Sequence, residues 1–196
     1  MTETVQLQRE VELGKTRNAY QGKWAGRFLW AAGVQGLIGV IATLLISEPL
    51  SYFNINWYYS PSKVIAGGGA GTWLFTGFVL FLVVGVVATA VTGLFYFYIE
   101  GAMGKVYHGL TNYLAAGHLA LMNVGVAGSM ALMMWGGYRA GVAAAAVSSG
   151  GLGWNSGQIH VDILAPLVSP IGALVLVAAL GAILGGLGFA IRSRQK

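Results

Sequence analysis

The sequence predicts an all-α integral membrane protein with four transmembrane helices and both termini in the cytoplasm. Three observations carry this reading. Of 196 residues, 56% are hydrophobic and 9% are charged, against about 25% charged in an ordinary soluble domain. Four apolar runs reach the roughly 20 residues needed to cross a bilayer. The basic residues fall mostly on one side of those runs. Arg9, Lys15, Arg17, Lys23 and Arg27 precede the first, Lys105 separates the second from the third, and Arg192, Arg194 and Lys196 follow the fourth. Only Lys63 and Arg139 lie in the other two connections. Positive charge is retained on the cytoplasmic side, which fixes the expected orientation and points to the cytoplasmic (plasma) membrane.

Residues 1–27 form a polar N-terminal segment. Its VQLQREVEL stretch alternates apolar and polar residues, which suits a short strand, an extended arm on a partner or a mobile tail. The single membrane domain covers residues 28–191. Its first span, residues 28–46, is interrupted only by Gln35. It follows a long polar segment and is long enough to cross, so it reads as an uncleaved anchor. The outer SYFNINWYYSP carries five aromatic rings, a composition that favours the headgroup layer. GGGAGT, residues 67–72, has neither the preceding strand nor the lysine of a phosphate loop and reads as a flexible entry to the second span, residues 72–99.

Glu100, Lys105, Tyr107 and His108 occupy the short turn that follows. Glu100 there is expected to pair with Lys105 or His108 as an interfacial charge cluster, proton entry being the sharper alternative. The third span, residues 110–135, is followed by an outer segment whose AGVAAAAV predicts a short helix before a Ser-Ser-Gly-Gly break. His160 and Asp162 end that segment; in an extended chain they would offer two of the ligands a metal needs, but a polar helix entry is the simpler reading. The fourth span, residues 163–191, opens with Pro166 and Pro170, which bend a first turn. Residues 192–196 form a basic cytoplasmic tail.

Helical periodicity assigns faces to the last two spans. Ala116, Ala120, Ala127 and Ala131 fall on one side of the third, with Asn123 at the edge and Asn112 near it. This stripe predicts close helix packing, with an interhelical amide hydrogen bond. Gly181, Gly185 and Gly188 form a second packing face on the fourth span, extended by Ala182 and Gly186. His118 lies about 160° from the alanine stripe, on the side of Met122, Gly125, Ser129 and Leu132. An imidazole left in hydrocarbon costs several kcal/mol, so a second face of the third span must also be covered, by another helix or another chain.

The chemistry is limited. The chain has no cysteine, which excludes disulfides, thiolate metal sites and thiol catalysis. No span holds an acid, lysine or arginine deep in its core, which weakens a self-contained pump. His118 and Met122 share a side and are the candidate polar or ligand site. No cofactor is required by the sequence, although haem or copper is a candidate there; the identity of any metal is unknown. The net charge of +5 sits beside membrane ends, so lipid and other membrane subunits are the expected partners and nucleic acid is not. The expected function is a non-catalytic accessory or structural subunit of a membrane complex, with a respiratory or other oxidoreductase complex as host. A small oligomeric transporter or channel lined by Thr89, His118 and Asn123 is the first alternative, and a haem- or copper-binding electron carrier the second.

Overall fold

The computed structural model describes residues 5–12, 22–48 and 59–195. Among the described residues there is no strand, and four helices are long and apolar enough to cross a membrane. The protein is an all-α, multi-pass membrane protein. Residues 5–12 form a short helix, α1. The strand reading of VQLQREVEL does not hold, because its Gln, Arg, Glu and Leu residues are good helix formers and a few alternating positions do not outweigh them. Most of SYFNINWYYSP, and Lys15 and Arg17, lie outside the described residues.

Helix α2, the first span, runs Lys23–Ser47, starting ahead of the expected residue 28. The reason is tertiary: Trp24 and Ala25 are buried at its first turn. Helix α3, Pro61–Ala66, has proline in its first turn and is capped by Ser60, whose Oγ accepts from Lys63 N at 3.2 Å. Glu48 accepts from the Ser60 hydroxyl and from Ser62 N at 3.2 Å. Partial burial alone would raise its carboxyl pKa, but these bonds and the Lys63 charge outweigh it and hold the group below the usual range.

GGGAGT forms a built turn. Gly68 and Gly69 have φ of 65° and 55°, which only glycine adopts without strain, and a Cβ on Gly71 would stand 2.9 Å from the carbonyl carbon of Val64. Helix α4, Gly69–Ala102, follows as the second span. It widens into π turns at Phe81–Val87 and Tyr98–Ala102.

Helix α5, Gly109–Ala144, is the third span, with 36 residues. At 1.5 Å per residue it is about 54 Å long, well beyond a hydrocarbon core of about 30 Å. The helix continues past Trp135, the expected end of the third span, and takes in the first part of the alanine-rich segment, through Ala144. Gly136 and Gly137 do not stop it because both are packing positions. A Cβ on Gly137 would lie 2.8 Å from Leu74 Cα of α4. Beyond them Ala140 and Ala143 are buried against Ile159, Ile163 and Leu164.

Helix α6, Ser156–Arg194, is the fourth span and starts earlier than residue 163. Asn155 and Gln158 form a capping box: Asn155 Oδ1 accepts from Gln158 N at 3.0 Å, and Gln158 Oε1 accepts from Asn155 N at 3.1 Å. The N-x-x-Q signal is visible in GWNSGQIH. His160 and Asp162 therefore lie in a helical π turn rather than an extended strand, where residues two apart project to different sides.

Helices α5 and α6 share the most extensive interface. Helix α4 begins against α5 and ends against α2, so it crosses between them. One end of the bundle gathers Lys23 and Arg27 of α2, Lys105 after α4, His108 before α5, and Arg192 and Arg194 of α6. Two contacts tie this basic end together: Lys105 Nζ donates to Ser193 O at 2.6 Å, and the Arg192 guanidinium stands 3.5 Å from His108 Nε2. At the opposite end Tyr138 Oη donates to Tyr59 O at 2.8 Å.

Candidate functional site

All four spans meet around His118. Phe28 of α2, Tyr96 of α4 and Phe189 of α6 place ring centroids 5.0, 5.9 and 6.1 Å from the imidazole. The Tyr96 hydroxyl lies 3.2 Å from His118 Nδ1, within hydrogen-bond reach. Phe28 stacks on Tyr96 at 4.7 Å, and Tyr107 tilts against Tyr96 at 5.1 Å. Tyr96 is 0% and Phe28 1% exposed. The remaining side of the imidazole is covered by Gly185, where a Cβ would stand 2.6 Å from His118 Cγ.

His118 and Met122 do share a face, as their spacing predicts, and that face is the α5–α6 interface. A Cβ on Gly181 would lie 2.7 Å from Met122 N, and one on Gly188 would lie 3.5 Å from Leu114 Cβ. The glycine face of the fourth span therefore packs on the histidine face of the third. The cover for His118 comes from within the chain.

Substituting phenylalanine for Tyr96 keeps the ring stack and deletes only the hydroxyl. We expect a loss of about 1 kcal/mol, read as a lower unfolding midpoint in detergent with helical content unchanged.

The chain matches no known family model, no curated protein and no solved structure.

The alanine stripe is less enclosed than the histidine face. Ala116 and Ala127 are half-buried, while Ala120 and Ala131 are exposed. The stripe looks toward α2 across an open cleft instead of a tight helix contact. Its predicted amide bond exists and crosses that gap: Gln35 Nε2 donates to Asn123 Oδ1, and Asn123 Nδ2 donates to Leu119 O at 2.6 Å. Gly85 of α4 makes room for Gln35, since a Cβ there would stand 2.7 Å from Gln35 Oε1. Asn112 accepts from Trp24 Nε1 at 3.1 Å, a second link from α5 to α2.

The Glu100, Lys105 and His108 grouping is divided. Glu100 is 1% exposed and turns to the first turn of α2. Its Oε2 accepts from Trp24 N at 3.0 Å and from Ala25 N at 3.1 Å, and its Oε1 lies 3.2 Å from Trp24 N. A helix start presents free N–H groups and partial positive charge, so a carboxylate finds a better partner there than in a solvated ammonium group. Lys105 reaches Ser193 instead, and the backbone of His108 exchanges hydrogen bonds with the Thr111 hydroxyl at 3.2 and 2.8 Å. Tyr107 is buried beside this joint, and burial together with the Glu100 charge pushes its phenol pKa up.

Sequence reasoning missed Tyr96, Phe28 and Phe189 as the walls around His118, and Trp24 as the partner of Glu100. A ring in an apolar run carries no local mark of the polar group it covers. Among the described residues, no group of three or more His, Asp or Glu side chains is arranged to hold a metal ion.

Proposed function

We propose that this chain is a non-catalytic accessory or structural subunit of a larger complex in the cytoplasmic membrane, with both termini in the cytoplasm. The observation that carries this reading is the use made of the polar groups within the spans. Glu100 caps α2, Gln35 joins Asn123, and His118 is bonded to Tyr96 and walled by three rings. Each links one helix to another. Burying such groups is costly unless they are paired, and here the pairing builds the bundle. The orientation follows from the concentration of basic residues at one end. A respiratory or other oxidoreductase complex is the host class we favour.

The transporter alternative needs Thr89, His118 and Asn123 along one path. His118 and Asn123 instead bond to different spans, α4 and α2. The electron-carrier alternative would recruit His118 and Met122, both of which pack against α6.

The test is isolation of the tagged chain from native membranes in mild detergent. We expect it to migrate with stoichiometric partner chains on a native gel. A monodisperse monomer that performs a transport or redox reaction alone would overturn the proposal.

A further inference from the structure

At the basic end an open cleft of about 630 Å³ lies between α2 and α5, lined by Lys23, Trp24, Arg27, Trp30, Ala116 and Ala120, with Gly26 in its wall. Its lining is mainly apolar, yet Lys23 and Arg27 stand in it one helical turn apart. Both lie against the Trp24 ring, Arg27 Cζ at 4.5 Å and Lys23 Nζ at 5.9 Å from its centroid. Among the described residues neither is in an ion pair. Glu100, whose charge reaches both, is buried and gives its oxygens to Trp24 and Ala25. Two cations therefore face an apolar trough, and among the described residues the one carboxylate whose charge reaches them, Glu100, is turned to the first turn of α2.

The glycines at helix crossings are there because a neighbour leaves no space, as at Gly125, Gly137, Gly181 and Gly185. A Cβ on Gly26 would meet nothing within 4 Å. Glycine weakens a helix, and no contact among the described residues requires it at this position. What its absent side chain does is keep the trough open beside Ala116 and Ala120. Further along, the Gln35–Asn123 bond draws the two helices together and bounds the space. Tryptophan at a membrane interface favours the headgroup level, and Trp30 is 77% exposed at the rim.

We propose that this cleft binds one anionic phospholipid, with its phosphate between Lys23 and Arg27 and one acyl chain lying over Gly26 between α2 and α5. The apolar trough and the paired cations are complementary to the two halves of that molecule. A zwitterionic lipid would fill the trough but gain less from the cations.

Native mass spectrometry of the full chain in mild detergent tests this, with phosphatidylglycerol and phosphatidylcholine added in separate arms. We expect a single retained phosphatidylglycerol. An interfacial cation contributes about fivefold in affinity, so the Lys23→Gln, Arg27→Gln double variant should lose roughly thirtyfold. Arg194→Gln, at an exposed cation elsewhere on the same end, should bind as the parent does. Gly26→Leu should block retention of either lipid while leaving both charges and the helical content in place. Equal retention of the two lipids by the parent, or undiminished retention by Gly26→Leu, overturns the site. Equally strong binding of inorganic phosphate alone would overturn the role of the acyl chain. A photo-crosslinker at Gly26 that captures a protein helix instead of lipid would overturn the proposal as well.

Discussion

Changing Gly125 to alanine should separate the third and fourth spans and cost about 2–3 kcal/mol, the upper part of the range for overpacking a filled core. The effect is large because of what the methyl group meets. Built on this backbone, a Cβ at Gly125 stands 2.6 Å from Leu174 O and 2.8 Å from Ala178 Cα. Both belong to the main chain of α6, so no rotamer change relieves the clash and the helix itself has to move. That movement would spread along the same seam, where Gly181 faces Met122 and Gly185 faces the His118 ring. Gly172→Ala is the control. It lies in α6, and a Cβ there would meet nothing within 4 Å, so it should be neutral or gain up to about 1 kcal/mol from helix propensity. Unfolding midpoints in one detergent, read by circular dichroism, separate the two variants. Equal midpoints would mean that the α5–α6 seam is not held by close backbone approach.

The same seam shows what is legible in the sequence. Gly181, Gly185 and Gly188 recur at helical spacing, and glycines so spaced in an apolar helix let a neighbouring helix approach closely. The four spans are legible for an equally plain reason: their length and apolarity are summed over about 20 positions, so single exceptions such as Gln35 do not hide them. The ends are less so. Gly136 and Gly137 resemble a stop when read locally, and only distant neighbours, Leu167 of α6 at Gly136 and Leu74 of α4 at Gly137, show that they are contact residues. The alanine stripe of α5 lies where periodicity places it but faces a looser neighbour than expected, because small residues fit a packed face and an open trough equally well. His118 presents the general case. Periodicity places it on a covered face and says nothing of which helix covers it, since Phe28, Tyr96 and Phe189 are ordinary aromatic residues in apolar runs. Proximity in sequence points Glu100 at Lys105 and His108, whereas its partners lie 75 and 76 residues away.

Glu100 accordingly predicts the second large effect. Its carboxylate is the cap of α2, supplied by the end of α4, and it replaces the local Ser, Thr, Asp or Asn that a helix start normally uses. Gly22 occupies the cap position and has no side chain to offer. Removing the carboxylate in Glu100→Ala would leave the N–H groups of Trp24 and Ala25 without these acceptors in a site beside Phe28 and Tyr96. Hydrogen bonds to a charged group contribute about 1.5–3 kcal/mol, and an abandoned buried donor costs about 1–3 kcal/mol. Some of that is recovered, because the buried carboxylate no longer has to be desolvated. We expect a net loss of about 2–4 kcal/mol. Glu100→Gln retains one carbonyl oxygen for the same N–H groups and gives up the charge. Its loss should be nearer 1 kcal/mol, roughly the value of a neutral hydrogen bond. Lys105→Ala provides the comparison on the same turn: that ammonium group is bonded to Ser193 O, not to Glu100, so its loss should stay below about 1 kcal/mol. The order Ala far below Gln at position 100, with the lysine variant near the parent, assigns the stabilisation to capping. Should Glu100→Gln and Glu100→Ala lose equally while Lys105→Ala matches them, the carboxylate would instead be acting as one half of an interfacial ion pair.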